Sequence, residues 1–218
     1  MKQKTAIQID FDGTVTLEDV SFLLLDTYVG PRWREAHKEY AAGKISVGAF
    51  NKKIFGMMQA DKKTMTDLVL SDPSVKVRPG FKELIEYCRA KGYKIVIVSN
   101  GLLFYIEAIL EQLGIKGLEI VAAENVFFKG GMNVRYVDPD GKEVDTAFKE
   151  SYTADLRKKG YNVIYIGNGT SDIHPARLAQ HVFATQDLLE KCRKAGLAHY
   201  PFNDFFDVIN TLEKLDAA

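Results

Sequence analysis

Five short apolar runs rich in β-branched residues recur along this chain, at 5–9, 94–99, 118–122, 162–167 and 181–184. Their length and near-continuous apolar character suit strands buried on both faces, as parallel strands are. Stretches with helical periodicity lie between most of them. Residues 81–91 put Leu84, Ile85 and Cys88 on one face and stop at Gly92; 104–113 stop at Gly114 and 150–159 at Gly160, while 175–180 is a shorter piece. Glycine just past a helix takes the left-handed turn that ends it. Strands and helices in alternation bury their apolar faces as an α/β fold. The expectation is a mostly parallel, Rossmann-like sheet with helices on both faces and right-handed crossovers.

Two segments break the alternation. Residues 17–76, directly after the first run, show no strand pattern and divide into helical pieces at 18–28, 31–42, 47–59 and 62–70, with turns near Gly30, Gly43 and Asp61. This segment reads as a small helical cap inserted into a core made of residues 1–16 and 77–218. Residues 126–144 alternate and contain Asp138-Pro139-Asp140-Gly141, which predicts a hairpin at the sheet edge with its turn at that tetrapeptide.

Charge and composition narrow the partners. Lys+Arg and Asp+Glu both number 29, so there is no global basic field to hold a nucleic acid or an anionic membrane. The 218 residues, 46% of them hydrophobic, are enough for one core with a modest insert. No 18-residue apolar run exists, and Gln8 and Asp10 interrupt the first apolar stretch, so neither a transmembrane helix nor a signal peptide is expected. Cys88 and Cys192 stand alone and read as free thiols of a reducing compartment, which makes the cytoplasm the expected location.

In an open parallel sheet, ligands gather at the carboxyl ends of the strands. The first run ends in Asp10-Phe11-Asp12-Gly13. Two residues apart in an extended chain, the two carboxylates point the same way. One acidic residue at a strand end is an ordinary turn cap, but two side by side repel without a cation, so the pair suggests a bound metal. The second run ends in Ser99-Asn100-Gly101, a hydroxyl followed by backbone N–H groups entering a helix. Such a segment is either a common loop or a holder of phosphate oxygens. The fourth run ends in Gly167-Asn168-Gly169-Thr170-Ser171-Asp172, a glycine-loosened loop with an oxygen ligand at each end. Each piece alone has a structural explanation. Compatible groups at three strand ends of one sheet argue for a site.

DFDGTVT, then SNG, then a lysine, then GNGTSD resembles the four motifs of the haloacid dehalogenase superfamily of phosphatases, over nearly the whole chain. The helical insert between the first two motifs resembles the cap of the phosphoserine-phosphatase-like branch. The C-terminal stretch FATQDLLEKCRKAGLAHYPFNDFFDVI is similar to phosphatases of methionine salvage. The resemblance implies Mg²⁺-dependent hydrolysis of a small phosphorylated metabolite through an aspartyl-phosphate. Asp10 would be the nucleophile and Asp12 the general acid and base. Ser99, Asn100, Gly101 and Lys149 would bind phosphate, and Asp10, Asp12, Asn168 and Asp172 would hold the metal. Lys149 is preferred to Lys129 and Lys142 because it opens a helix 19 residues before Asn168, the family spacing. Asn168 departs from the Asp usual at that motif; lacking a charge, it predicts weaker metal binding.

Two other readings stand beside this one. A phosphoserine phosphatase would need a charge pair in the cap, such as Arg32 with Glu18. A phosphate-binding module without turnover would explain Asn168 but not an acid at Asp12. Glu18, Asp19, Arg32, Arg34 and Lys52 are the charged candidates for the cap side of a cleft. Phe22, Trp33, Phe50, Phe55, Met57 and Met58 are the apolar ones, most of which the insert's own packing would absorb. The four histidines show no ligand spacing.

Overall fold

All five apolar runs enter a single seven-stranded sheet in the computed structural model, which describes residues 4–129 and 131–217. At its centre β1 (Lys4–Ile9) pairs in parallel with β2 (Lys94–Leu102) on one side and β5 (Tyr161–Gly167) on the other. Parallel pairing continues to β3 (Glu119–Phe128) beyond β2, and to β6 (His181–Ala184) and β7 (Tyr200–Pro201) beyond β5. The antiparallel β4 (Gly131–Arg135) closes the other edge. Crossovers run through α5 (Phe81–Lys91), α6 (Leu103–Gln112), α7 (Phe148–Lys158), α8 (Ile173–Leu178) and α9 (Gln186–Ala195), and α10 (Phe205–Ala217) follows β7. The architecture is the expected doubly covered α/β sheet. Among the described residues no helix is long and apolar enough to cross a membrane, and Cys88 and Cys192 are buried and free.

The predicted hairpin forms differently. β3 runs on through Phe128 and pairs with β4 in the register Phe127↔Met132 and Phe128↔Gly131, so the strands reverse between Phe128 and Gly131 and not at the Asp-Pro-Asp-Gly tetrapeptide. The tetrapeptide makes a separate small turn. Asp138 Oδ1 accepts the N–H groups of Asp140 at 3.0 Å and Lys142 at 2.8 Å. A carboxylate that caps its own backbone makes a turn stable without long flanking strands. The alternation was correct but belongs to β4 and the residue after it, where Met132, Val134 and Tyr136 are buried and Asn133 and Arg135 exposed.

Between β1 and β2 come α1 (Val20–Tyr28), a 3₁₀ turn at Gly30–Arg32, α2 (Trp33–Ala41), α3 (Val47–Phe55) and α4 (Lys62–Ser71). Three of these helices start on side-chain caps: Asp19, Ser46 and Asp61 accept N–H groups of Ser21, Ala49 and Thr64. The insert leaves and rejoins the sheet as two adjacent extended segments, with Leu17 N–H donating to Lys76 O at 2.8 Å and Arg78 N–H to Val15 O at 2.7 Å. Its apolar side chains are continuous with those of the sheet: Leu24, Ile54, Met58 and Met65 share one buried cluster with Ile7 and Ile97. Met58 therefore belongs to the interior, while Met57 is exposed.

Arg78, just past the point of return, has no counterpart in the sequence reading. Its guanidinium is buried and donates to Gly13 O, Thr14 O and Asn203 O, each at 2.7 Å, above the ring of Phe202 at 5.5 Å. It thus ties the turn after Asp12 to the return of the insert and to the C-terminal region. Replacing it strands three carbonyls in a dry environment. Arg78→Met is expected to lower unfolding free energy by about 4–5 kcal/mol, summing three charge-assisted hydrogen bonds at about 1.5 kcal/mol each. Arg78→Lys should recover part of that, and denaturant midpoints at unchanged slope check both values.

Candidate active site

The strand order that puts β1 between β2 and β5 also places its carboxyl end among the other strand ends carrying polar residues. Asp10, 5% exposed, is seated by Asp10 N–H to Ile166 O at 3.0 Å, and its Oδ1 accepts Phe11 N–H at 2.8 Å. Lys149, 3% exposed, reaches the same Oδ1 at 2.7 Å and Asp172 Oδ1 at 2.6 Å. The first turn of α7 that carries it is anchored by Gln8, a polar residue in the middle of β1. Gln8 Nε2 donates to Lys149 O at 3.1 Å, and Thr153 Oγ1 donates to Gln8 Oε1 at 2.8 Å. Before α7 the backbone passes through Ala147 at φ 57°, a strained conformation for a residue with a Cβ.

Burial and the Asp172 charge push the Asp10 carboxyl up to about 7, against the pull of Lys149. Burial alone would lower the ammonium, but the charges of Asp10 and Asp172 outweigh it and hold Lys149 protonated above its ordinary range. Burial would raise Asp172 too, yet Lys149 dominates and keeps it below the usual carboxylate range.

Asp172 was expected among metal ligands, and its surroundings give it another task. Oδ1 accepts from Lys149 and from Tyr165 O–H at 2.6 Å, and Oδ2 accepts the N–H groups of Asn168 at 3.0 Å and Gly169 at 2.8 Å. Four donors fill a carboxylate. Asp172 therefore acts as counter-ion to Lys149 and organiser of the Asn168 loop.

Asp12 lies half-buried beside Asp10, and both its oxygens are engaged. Oδ1 accepts Val20 N–H at 3.0 Å, from the first residue of α1, and Oδ2 accepts Tyr105 O–H at 2.5 Å. Burial, then the Asp19 charge, raises its carboxyl well above the ordinary value, with the Tyr105 hydrogen bond opposing. The Tyr105–Asp12 contact explains Gly101: a Cβ there would lie 2.1 Å from Tyr105 Oη and 2.2 Å from Asp12 Oδ2. Ser99, 1% exposed, accepts Gly101 N–H on its Oγ at 3.0 Å. Ser99, Asn100 and Gly101 are extended, as the last part of β2, and α6 begins straight after them.

Asn168 accepts Thr14 O–H at 3.0 Å on Oδ1 and donates through Nδ2 to Gln186 Oε1 at 2.9 Å. Gln186, the first residue of α9, sits at φ 47°, and with Ala147 it is one of two non-glycine residues of positive φ among those described. Among the described residues no three His, Cys, Asp or Glu side chains converge as a metal cluster. Asp10, Asp12 and Asn168 all line the cleft and offer hard oxygen donors, a set that fits Mg²⁺, which commonly takes one or two carboxylates and keeps waters.

A cleft of about 490 Å³ opens over these groups, between the strand ends and the insert. On the insert side Phe22, His37, Tyr40, Phe50 and Phe55 line it, with Glu18 and Asp19 nearer the carboxylates. Phe22 stacks on the buried Trp33 at 4.8 Å, Tyr40 stacks on Phe50 at 5.4 Å, and the His37 ring meets Phe50 edge-on at 5.7 Å. The cations lining the cleft are Lys149 and Lys191, both outside the insert. Arg34 instead pairs with Asp26, Lys52 pairs with Glu143 and Asp145, and Arg32 is exposed away from the lining. Tyr105, Gln186, Asn51 and the Tyr40–His37 pair had no signal in the sequence. Gln8 had one, a polar residue inside an apolar strand.

A family model of haloacid dehalogenase-like hydrolases matches residues 7–177. A 2-hydroxy-3-keto-5-methylthiopentenyl-1-phosphate phosphatase of Geobacillus thermodenitrificans is 31% identical, over 99% of this chain and 99% of its own. Pdp3-interacting factor 1 of Schizosaccharomyces pombe is 30% identical, over 99% and 98%. A solved structure of a phospho-aspartyl intermediate analogue of phosphoserine phosphatase shares the fold, with a TM-score of 0.70 at 18% identity, covering 96% of this chain and 99% of that one. Family model, full-length relatives and fold agree: the chain belongs to the haloacid dehalogenase-like hydrolase family.

Proposed function

We propose that the chain is a phosphatase that hydrolyses a small phosphate monoester with an uncharged, apolar tail through an aspartyl-phosphate on Asp10. The substrate we assign is 2-hydroxy-3-keto-5-methylthiopentenyl-1-phosphate, of methionine salvage. The observation that carries the reaction is the buried Asp10, oriented by Phe11 N–H and Lys149 at the floor of a cleft. The observation that carries the substrate is the aromatic insert side of that cleft, which offers no Lys or Arg. The relatives named for this substrate match along nearly their whole length. A thioether tail gains from contact with aromatic rings.

In the first half-reaction an Asp10 oxygen attacks phosphorus and the bond to the ester oxygen breaks. Asp12, raised in pKa by burial, delivers a proton to that leaving oxygen. In the second half-reaction water attacks the phosphorus of the aspartyl-phosphate, Asp12 takes the water proton, and the Asp10 carboxylate departs, releasing inorganic phosphate. Tyr105 holds Asp12 in place through both steps, since a phenol donates to a carboxylate and equally to the carbonyl oxygen of a carboxylic acid, leaving the acid proton free for the leaving oxygen. Lys149, Ser99 O–H and backbone N–H groups after it balance the phosphoryl charge. Mg²⁺, held by the Asp10 carboxylate, the Asp12 carbonyl and the Asn168 amide oxygen, would supply further charge neutralisation. We assign residues 17–76 as the specificity cap over a core of 1–16 and 77–218.

Both rival readings lose support. A phosphoserine carboxylate would need a cation on the insert side, and Arg34 and Lys52 are committed to surface pairs. A mere phosphate binder has no use for Tyr105 buried against Asp12.

Asp10→Asn is expected to abolish turnover with the fold intact; more than a tenth of wild-type activity, with back-hydrolysis excluded by mass, would reject the nucleophile. Asp12→Asn should reduce turnover of alkyl phosphates by about 10²–10⁴. On p-nitrophenyl phosphate, whose leaving group needs no proton, the loss should be much smaller, and equal losses would remove the acid role. EDTA should silence the enzyme and Mg²⁺ restore it, and Asn168→Asp, which adds a charge, should tighten Mg²⁺ binding measured by calorimetry. A panel of phosphate monoesters tests the substrate class: apolar-tailed esters should exceed phosphoserine in kcat/KM by at least about 10², and the reverse order would overturn the assignment.

A further inference from the structure

We propose that Asn51 and Tyr136 are positioning residues of the phosphate pocket: together they lock the peptide between Asn100 and Gly101, so that the helical insert is a structural part of that pocket. The proposal rests on the phosphatase reading above and goes beyond it. Asn51 lies on α3 of the insert and Tyr136 just after β4, and both are buried. Asn51 Nδ2 donates to Asn100 O at 3.1 Å and to Tyr136 Oη at 2.6 Å, and Tyr136 O–H donates to Asn100 O at 2.6 Å. The three bonds form a closed set: the amide nitrogen uses both its hydrogens, and the phenol donates once and accepts once.

The consequence follows from peptide geometry. In a trans peptide the carbonyl of one residue and the N–H of the next point in opposite directions in one plane. With two donors holding the Asn100 carbonyl on the insert side, the Gly101 N–H is directed back toward Ser99 Oγ, 3.0 Å away. A residue of α3 thus helps to fix the Gly101 amide against the Ser99 hydroxyl, the group assigned to the phosphate. Preorganised amides are effective because they need no reorientation as charge develops.

Further contacts keep α3 and Tyr136 in place. Gly48 N–H donates to Asp145 O at 3.1 Å, and a Cβ at Gly48 would lie 2.6 Å from that oxygen, so the helix approaches as closely as glycine permits. Lys52 Nζ reaches Glu143 at 2.5 Å and Asp145 at 2.7 Å. The Tyr136 ring meets Phe148, the neighbour of Lys149, edge-on at 5.0 Å. α3 is therefore a fixed strut. Without the insert the Asn100 peptide would lose one of its two anchors.

Inorganic phosphate and orthovanadate binding in Mg²⁺, measured by calorimetry, tests the proposal together with KM for p-nitrophenyl phosphate. Asn51→Leu and Tyr136→Phe should each weaken phosphate about tenfold. The double variant should fall well short of the product of the two, because both act through one carbonyl. Lys53→Met, on the exposed side of the same helix, should leave phosphate affinity within about twofold of wild type. Ser99→Ala tests the underlying site. Wild-type phosphate affinity in folded Asn51→Leu and Tyr136→Phe, beside a loss in Ser99→Ala, would overturn the positioning role alone. Wild-type affinity in all three would remove the phosphate site and the proposal with it. Should Asn51→Leu fail to fold, Tyr136→Phe, which deletes a single hydroxyl, decides the outcome.

Discussion

A buried ammonium between two buried carboxylates organises this molecule. Removing charges from water costs several kcal/mol per ion unless each is paired and hydrogen-bonded. Lys149, Asp10 and Asp172 meet that requirement through a shell of donors drawn from much of the sheet: Phe11 N–H, Tyr165 O–H, and the N–H groups of Asn168 and Gly169. The three side chains carry a net negative charge, with Asp12 and Asp19 close by. Such a site favours a cation and tolerates a phosphate dianion only with one. Lys149 can keep this position because Gln8 and Thr153 lock its helical turn to β1.

The insert is bound to the sheet more intimately than a hinged lid would be. Its apolar residues join the main core, Arg78 pins its return to the turn after Asp12, and Val20 at the head of α1 donates to Asp12. The face it turns to the cleft divides by chemistry. It carries polar and acidic groups, Asp19 and Asn51, beside a set of stacked rings. The phosphate and the apolar tail of the proposed substrate suit those two kinds of surface.

Much of this was legible in the residues. Apolar runs of strand length, helix-ending glycines and the Asp10-x-Asp12 pair depend on local chemistry, and they led to the parallel sheet and to the groups at its strand ends. The helices of the insert were legible for the same reason, since Asp19, Ser46 and Asp61 cap them from one to three residues away. The reading went astray at the hairpin: the Asp138 turn suits one by its local chemistry, but pairing with β3 puts the strand reversal between Phe128 and Gly131.

The sequence by itself determined the fold class, the Asp10–Asp12 turn and the candidate lysine, because periodicity, turn chemistry and motif spacing act over a few residues. Only the tertiary structure decided what each site group touches. Tyr105 is 93 residues from Asp12, and Asn51 is 49 from Asn100. It also turned Asp172 from an expected ligand into the counter-ion of Lys149, 23 residues away. Hydrogen-bond partners of buried groups are set by which surfaces the packed core brings within about 3 Å, and no local pattern in a chain encodes that distance.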